Sequence, residues 1–275
     1  MSLPRLWLLG GLVLLAGCAN LKEVREFAFD ASQLSAYPDL TQRWAKTYER
    51  EKVYLFDRDL ALAKSEDKAR QEAAKDLLQI HKTVALYFAI LGKLAGDDTF
   101  SLDGNIDGLA KQIKESKLTG IEADHVEAYG SIAKIISSWV LSGYQQHEIA
   151  KYIEQGNAPM QTMLAGMRQV IKVYAGTLRN EKGRMGFLNL VDQGTPQNKI
   201  VAALANAEYG RLAAEAETAQ KRLTTLDKAI AKIAGGHQTL YDARNDFARD
   251  EVKNLLQSLN KDIKSLKNEL KALNE

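Results

Sequence analysis

The chain has few residues that could do chemistry. Glu122 and His125 stand three apart, the Glu-x-x-His spacing that puts two metal ligands one turn apart on a helix. A di-iron bundle needs a second such motif and two further glutamates, and the chain has no second Glu-x-x-His. His147-Glu148 does not reach a second histidine at zincin spacing, because position 151 is lysine. His81 and His237 have no partner nearby in sequence. Gly104 and Gly108 flank no phosphate-loop pattern, and there is no Gly-x-Ser-x-Gly. Met160, Met163, Met167 and Met185 could line an adaptable binding surface, but the first three keep helical core spacing, which favours packing. Trp44, Tyr48, Tyr54 and Phe56 form an aromatic group close in sequence to the N-terminal segment, suited to core packing or to lipid headgroups. The expectation is of no catalytic residues, no metal and no cofactor: the chain reads as a non-enzyme.

Cys18 is the single cysteine, so the chain forms no internal disulfide. It closes an opening segment in which Arg5 precedes an apolar run from Leu6 to Gly17, and charged sequence follows at once with Lys22, Glu23 and Arg25. That run is too short for a spanning helix, which needs roughly 20 residues, and fits a signal-peptide core. Leu15-Ala16-Gly17-Cys18 resembles the lipobox of bacterial lipoproteins. The resemblance covers about the first 18 residues and implies a diacylglyceryl group on the Cys18 thiol. It also implies recognition of Leu15, Ala16 and Gly17 by signal peptidase II, cleavage before Cys18, and often a further acyl chain such as palmitate on the new terminus. Two or more acyl chains give a stable membrane anchor where one does not. Position 19 is alanine rather than aspartate, which by the same resemblance favours the periplasmic face of the outer membrane.

The expected division is therefore 1–17 signal peptide, 18–37 lipidated tether, in which Leu21, Val24, Phe27 and Phe29 could pack as a short helix, and 38–275 helical body. Losing residues 1–17 leaves 36 basic and 35 acidic residues, a balance that makes no electrostatic case for nucleic acid. Proline is scarce after the leader, with only Pro38, Pro159 and Pro196, and abundant Ala, Leu, Lys, Glu and Gln favour long helices.

Hydrophobic periodicity predicts where those helices lie. Ala73, Leu77, Ile80, Val84, Tyr87, Leu91 and Leu94 alternate by four and three, a heptad seam. The absence of proline, and of glycine before Gly92, favours one helix from Asp39 to about Leu94. It leaves open whether the polar stretch 61–72 is a turn between two helices or a solvated span of one. A short helix is expected over 101–117, with Ile106, Leu109 and Ile113 on one face. Thr119 and Glu122 fit a capping box starting a helix to about Gln155. Gly156-Asn157 is expected to break it, and Gly194-Thr195-Pro196 to end the next. Gly235-Gly236 is expected to end a helix seamed by Ala219, Leu223, Leu226, Ile230 and Ile233. The last helix, from about His237, carries Val252, Leu256, Leu259, Ile263, Leu266, Leu270 and Leu273 at heptad spacing. The predicted fold is all-α: an elongated up-and-down bundle of five or six long antiparallel helices with coiled-coil-like packing.

The anchor and the long helices together point to a membrane-anchored interaction or structural module of the cell envelope, with an unidentified protein partner. Two other readings remain. The apolar segment Gly130–Tyr144 on a long hairpin resembles, in shape alone, pore-forming toxins of the cytolysin A type and would suit membrane perturbation. A cavity between helices would suit a small-ligand carrier.

Overall fold

The computed structural model describes residues 21–96, 109, 111–142, 148–193, 199–247 and 249–274, without the side chains of 142 and 187–193. The lipobox, Gly104, Gly108, His147 and Pro196 lie outside these residues. The chain is all-α: α1 (Lys22–Ser32), α2 (Ala36–Ala45), α3 (Thr47–Glu51) with a 3-10 turn (Lys52–Tyr54), α4 (Asp57–Leu94), α5 (Ala123–Ser142), α6 (Ile149–Gln193), α7 (Lys199–Asp242) and α8 (Asp250–Ala272). An isolated bridge between Ser116 and Ile121 is the one extended pairing among the described residues.

The heptad seams form the core. All seven seam residues of α4, from Ala73 to Leu94, are buried, as are Ala219, Leu223, Leu226, Ile230 and Ile233 of α7. The α8 seam is met within the chain: Val252, Leu256, Ile263 and Leu270 are buried, and Leu266 packs against the same core. Contacts fix the directions. Asn157–Gln238 and Arg168–Asp227 advance along α6 while receding along α7, so these two helices form an antiparallel hairpin. The pairs Lys232–Asp262 and Thr225–Glu269 make α7 and α8 antiparallel in the same way. Two pairs are instead parallel. In α1 and α8, Glu23 meets Gln257 and Asp30 meets Lys267. In α4 and α5, Gln79 meets Tyr129 and Tyr87 packs on Trp139. In the latter pair α5 therefore starts at the same end of the bundle as α4.

Several expected boundaries are corrected. Within the segment expected as a tether, the short helix forms as α1 and is built into the bundle: Val24, Phe27 and Ala28 are wholly buried against α4 and α8, while Phe29 is exposed. The single helix expected from Asp39 becomes α2, α3 and α4, broken where Leu55 and Phe56 take extended backbone. Asp57 then starts α4 with φ +43°, a left-handed conformation that Asp tolerates better than most residues. The polar span 61–72 lies in the solvated first half of α4, while the apolar second half, long enough to cross a membrane, is mostly buried. Residues 111–115 are not helical, yet Leu109 and Ile113 are buried as expected.

Gly156-Asn157 and Gly235-Gly236 do not end helices either; α6 and α7 run straight through both. Each pair holds a glycine needed for close approach. A Cβ on Gly156 would collide with the Tyr87 ring, and one on Gly236 with the Phe27 ring. The real turn between α7 and α8 lies at 243–249. The expected capping box is displaced by one turn. Thr119 lies in the turn before α5, and Glu122 donates its backbone N–H to Nδ1 of His125 at 3.1 Å, half of a capping box starting at Glu122.

Candidate functional site

Two polar clusters sit inside the bundle, each assembled from residues far apart in sequence. The larger joins α2, α3 and α6. Its centre is Glu181, whose side chain is 3% exposed. Arg50 donates to Glu181 Oε1 at 2.6 Å and Arg43 to Oε2 at 3.2 Å, while the Thr47 hydroxyl donates to Oε1 at 2.8 Å. Beside it Glu51, also buried, accepts from Arg184 at 2.6 Å. Burial alone would raise the Glu181 carboxyl, but Arg50 and Arg43 pull it below the usual carboxylate range. Glu51 goes the other way: burial raises it despite the Arg184 guanidinium.

Such a pair of carboxylates with opposed shifts is a pattern found in acid–base sites. Here the acceptors face arginines rather than open space. The adjoining cavity, lined by Arg43, Arg50, Tyr54, Glu181, Met185 and Leu212 among others, is about 20 Å³, room for about one water molecule. A second of about 10 Å³ lies between Trp44, Tyr174 and Leu223. The chemistry of this cluster is cohesion: it ties the α2–α3 layer to α6.

The second cluster crosses α4, α6 and α7. Tyr87 Oη lies 2.7 Å from His237 Nε2, and His237 Nδ1 lies 2.9 Å from Asn157 Oδ1. Asn157 Nδ2 donates to Gln238 Oε1 at 3.0 Å, and Gln238 donates onward to Asp242 at 2.8 Å. With Asn157 so oriented, Nδ1 carries the imidazole hydrogen and Nε2 accepts from the tyrosine. Burial pushes His237 down to about 3, so it is a neutral hydrogen-bonding group at any ordinary pH. His81 is similar: it donates to the Leu34 carbonyl at 3.0 Å, stacks on Tyr37, and is pushed by burial to about 4.

The chain matches no family model, no curated protein and no solved structure.

The remaining sequence candidates fall where packing puts them. His125 caps α5, its ring lying against Gly166, and no group of three or more potential metal ligands occurs among the described residues. Met160, Met163 and Met167 are core residues, and Met185 lines the Glu181 cavity. The aromatic group splits. Trp44 is buried on Tyr174 and donates to Thr177, whereas Phe56 is exposed. The group also lies at the end of the bundle away from Leu21. Tyr54 faces Glu208 and Arg211 near the start of α7, whereas Phe27 of α1 meets Gly236 near its end. The apolar run in α5 turns one face inward, with Ile132, Ile136 and Trp139 wholly buried.

Sequence reading missed Glu181, Arg43, Arg50 and Arg184. The spacing of Thr47, Arg50 and Glu51 puts them on one helix face, which was a usable local signal. Nothing in the sequence links that face to a glutamate 131 positions beyond Arg50.

Proposed function

We propose that the mature chain is a lipoprotein of the cell envelope, held to a membrane by acyl groups on Cys18, whose helical body is a non-enzymatic interaction or structural module. The observation that carries this reading is the position of α1. It begins at Lys22, and Ala19, Asn20 and Leu21 alone separate it from Cys18. A spacer of that length spans about 10–14 Å when fully extended. With α1 packed into the core, an acylated Cys18 holds the bundle itself at the bilayer rather than letting it swing on a long leash. Ala19 favours the outer membrane, periplasmic face. From that end α6, of 45 residues, reaches about 65 Å away and presents a long face for a partner.

The test has two parts. Growth with an alkyne-tagged palmitate should label the wild-type protein and leave Cys18→Ser unlabelled, with its leader uncleaved and its mass correspondingly higher, and absent from the outer-membrane fraction. Equal labelling, mass and distribution of the two would remove the anchor. Photo-crosslinkers on exposed positions of α6 and α7 should then capture a defined protein in intact cells. Capture of none from either helix would remove the interaction role.

A further inference from the structure

The stretch between α4 and α5 departs from the helical pattern of the bundle. Residues 111–115 form no helix, yet they lie across both helices and are held by both. Tyr129 of α5 donates its hydroxyl to the Lys111 carbonyl at 2.8 Å, and Gln79 of α4 donates to that same hydroxyl at 3.1 Å. The Lys114 N–H donates to Asp76 Oδ2 of α4 at 3.2 Å. Between these two points Ile113 joins the core, 3% exposed. Lys111, Gln112, Lys114 and Glu115 are all exposed.

The two helices therefore grip an aliphatic side chain, a carbonyl and an N–H, while the four neighbouring side chains stand outside the grip. The turn that follows is closed on its own. Ser116 donates its N–H to the Ile121 carbonyl at 2.8 Å, and Thr119 and Gly120 donate theirs to the Ser116 carbonyl at 3.1 and 2.9 Å. Gly120 supplies the left-handed backbone that this turn needs, with φ +73°. Lifting 111–115 away would leave these bonds intact and uncover the groove between α4 and α5. Backbone hydrogen bonds joined to an apolar pocket are a general means of holding a peptide segment, the bonds giving affinity and the pocket selecting the side chain.

We propose that the α4/α5 groove is a docking site for a non-helical segment of a partner protein carrying an aliphatic side chain between free backbone groups, and that residues 111–115 are its built-in occupant. The chain's own segment, seated there, shows what the groove accepts. A tethered occupant acts at an effective concentration on the order of millimolar. The site is thus closed to weak binders and yields to a partner that binds better. This goes beyond the anchored-module reading and holds whether or not Cys18 carries acyl groups.

The test uses residues 18–275 carrying Cys18→Ser, so the acyl anchor does not enter. In native-state hydrogen exchange the Lys114 amide should exchange by local opening, at a rate unchanged by mild urea, while those of Leu77 and Ile132 follow global unfolding. Exchange of Lys114 on global unfolding alone would overturn the proposal. A labelled peptide of residues 109–118 should bind the Ile113→Asp chain at least about tenfold more tightly than the chain with Ile113 in place. Adding Tyr129→Phe to the Ile113→Asp chain should weaken that binding about two- to tenfold. The peptide carrying Lys111→Ser, Gln112→Ser, Lys114→Ser and Glu115→Ser together should bind as well as the original. Loss of its binding would mean that the groove fits only this chain's own segment, which would overturn the partner. Where Ile113→Asp melts without a cooperative transition, Ile113→Ala takes its place with the same expectations. Equal binding of the peptide to both chains, or binding to neither, would also overturn the proposal.

Discussion

Gly236 of α7 lies against the ring of Phe27 of α1, closer than any side chain would permit. Its neighbour Gly235 has nothing within 4 Å of where a Cβ would stand. Two adjacent glycines in one helix should therefore respond to alanine in opposite directions. Gly236→Ala overpacks the core, which costs about 1–3 kcal/mol. Gly235→Ala relieves the helix of a flexible residue and should add about 0.5–1 kcal/mol. Urea titrations of the two variants, run beside wild type, check both signs at once.

The same glycine explains where sequence reading stopped. A glycine pair inside a heptad pattern admits two readings, a helix end or a close contact, because the missing side chain serves both. The partner ring decides between them, and Phe27 lies more than 200 positions away. Leu223, Leu226 and Ile230 needed no such distant information: their spacing alone placed them inside, and they are buried. Thus seams were legible and interruptions were not. The Glu181 cluster stayed hidden for a related reason. Each of its residues is an ordinary surface type in its own helix, and only the fold buries them together.

Glu181 should be costly to remove. Glu181→Ala would leave Arg43 and Arg50 partly buried without their shared acceptor, a situation that costs about 3–5 kcal/mol when a buried pair is broken. Arg184→Ala removes a cation whose side chain is 43% exposed but leaves the buried Glu51 carboxyl without its donor, and should cost about 1–3 kcal/mol. A double-mutant cycle between Arg50 and Glu181, read by denaturant unfolding, should give a coupling well above that of the exposed Lys221–Glu217 pair. Equal couplings would show that burial adds nothing here.

α1 should behave as core rather than as linker. Val24 and Phe27 are wholly buried between α4 and α8, and Asp30 bonds Lys267 at 2.7 Å. Phe27→Ala should cost about 3–5 kcal/mol, the range for a buried aromatic truncated to alanine. A chain beginning at residue 35 should lose the cooperative thermal transition of the mature protein. A truncated chain with an unchanged melting curve would return residues 21–34 to the role of a spacer.

Buried His237 and half-buried His81 set the direction of the pH response. Both have folded values below that of a free imidazole: about 3 for His237 and about 4 for His81, each through burial. The unfolded chain therefore binds protons that the folded chain refuses once pH falls below about 6.5. Their contribution is intact above that value and drains as pH falls towards 4, at about 1 kcal/mol per pH unit for each histidine. Glu181, also held low in the fold, adds a loss in the same direction below the usual carboxylate range, and Glu51, held high, opposes it. Unfolding free energy should therefore hold between pH 7.5 and about 6.5 and fall from there to pH 5. His237→Gln keeps a polar side chain but does not titrate, so the variant should start less stable and lose stability less steeply with acid. A slope identical to wild type would mean that His237 is not the neutral, buried imidazole on which the Tyr87–Asn157 link depends.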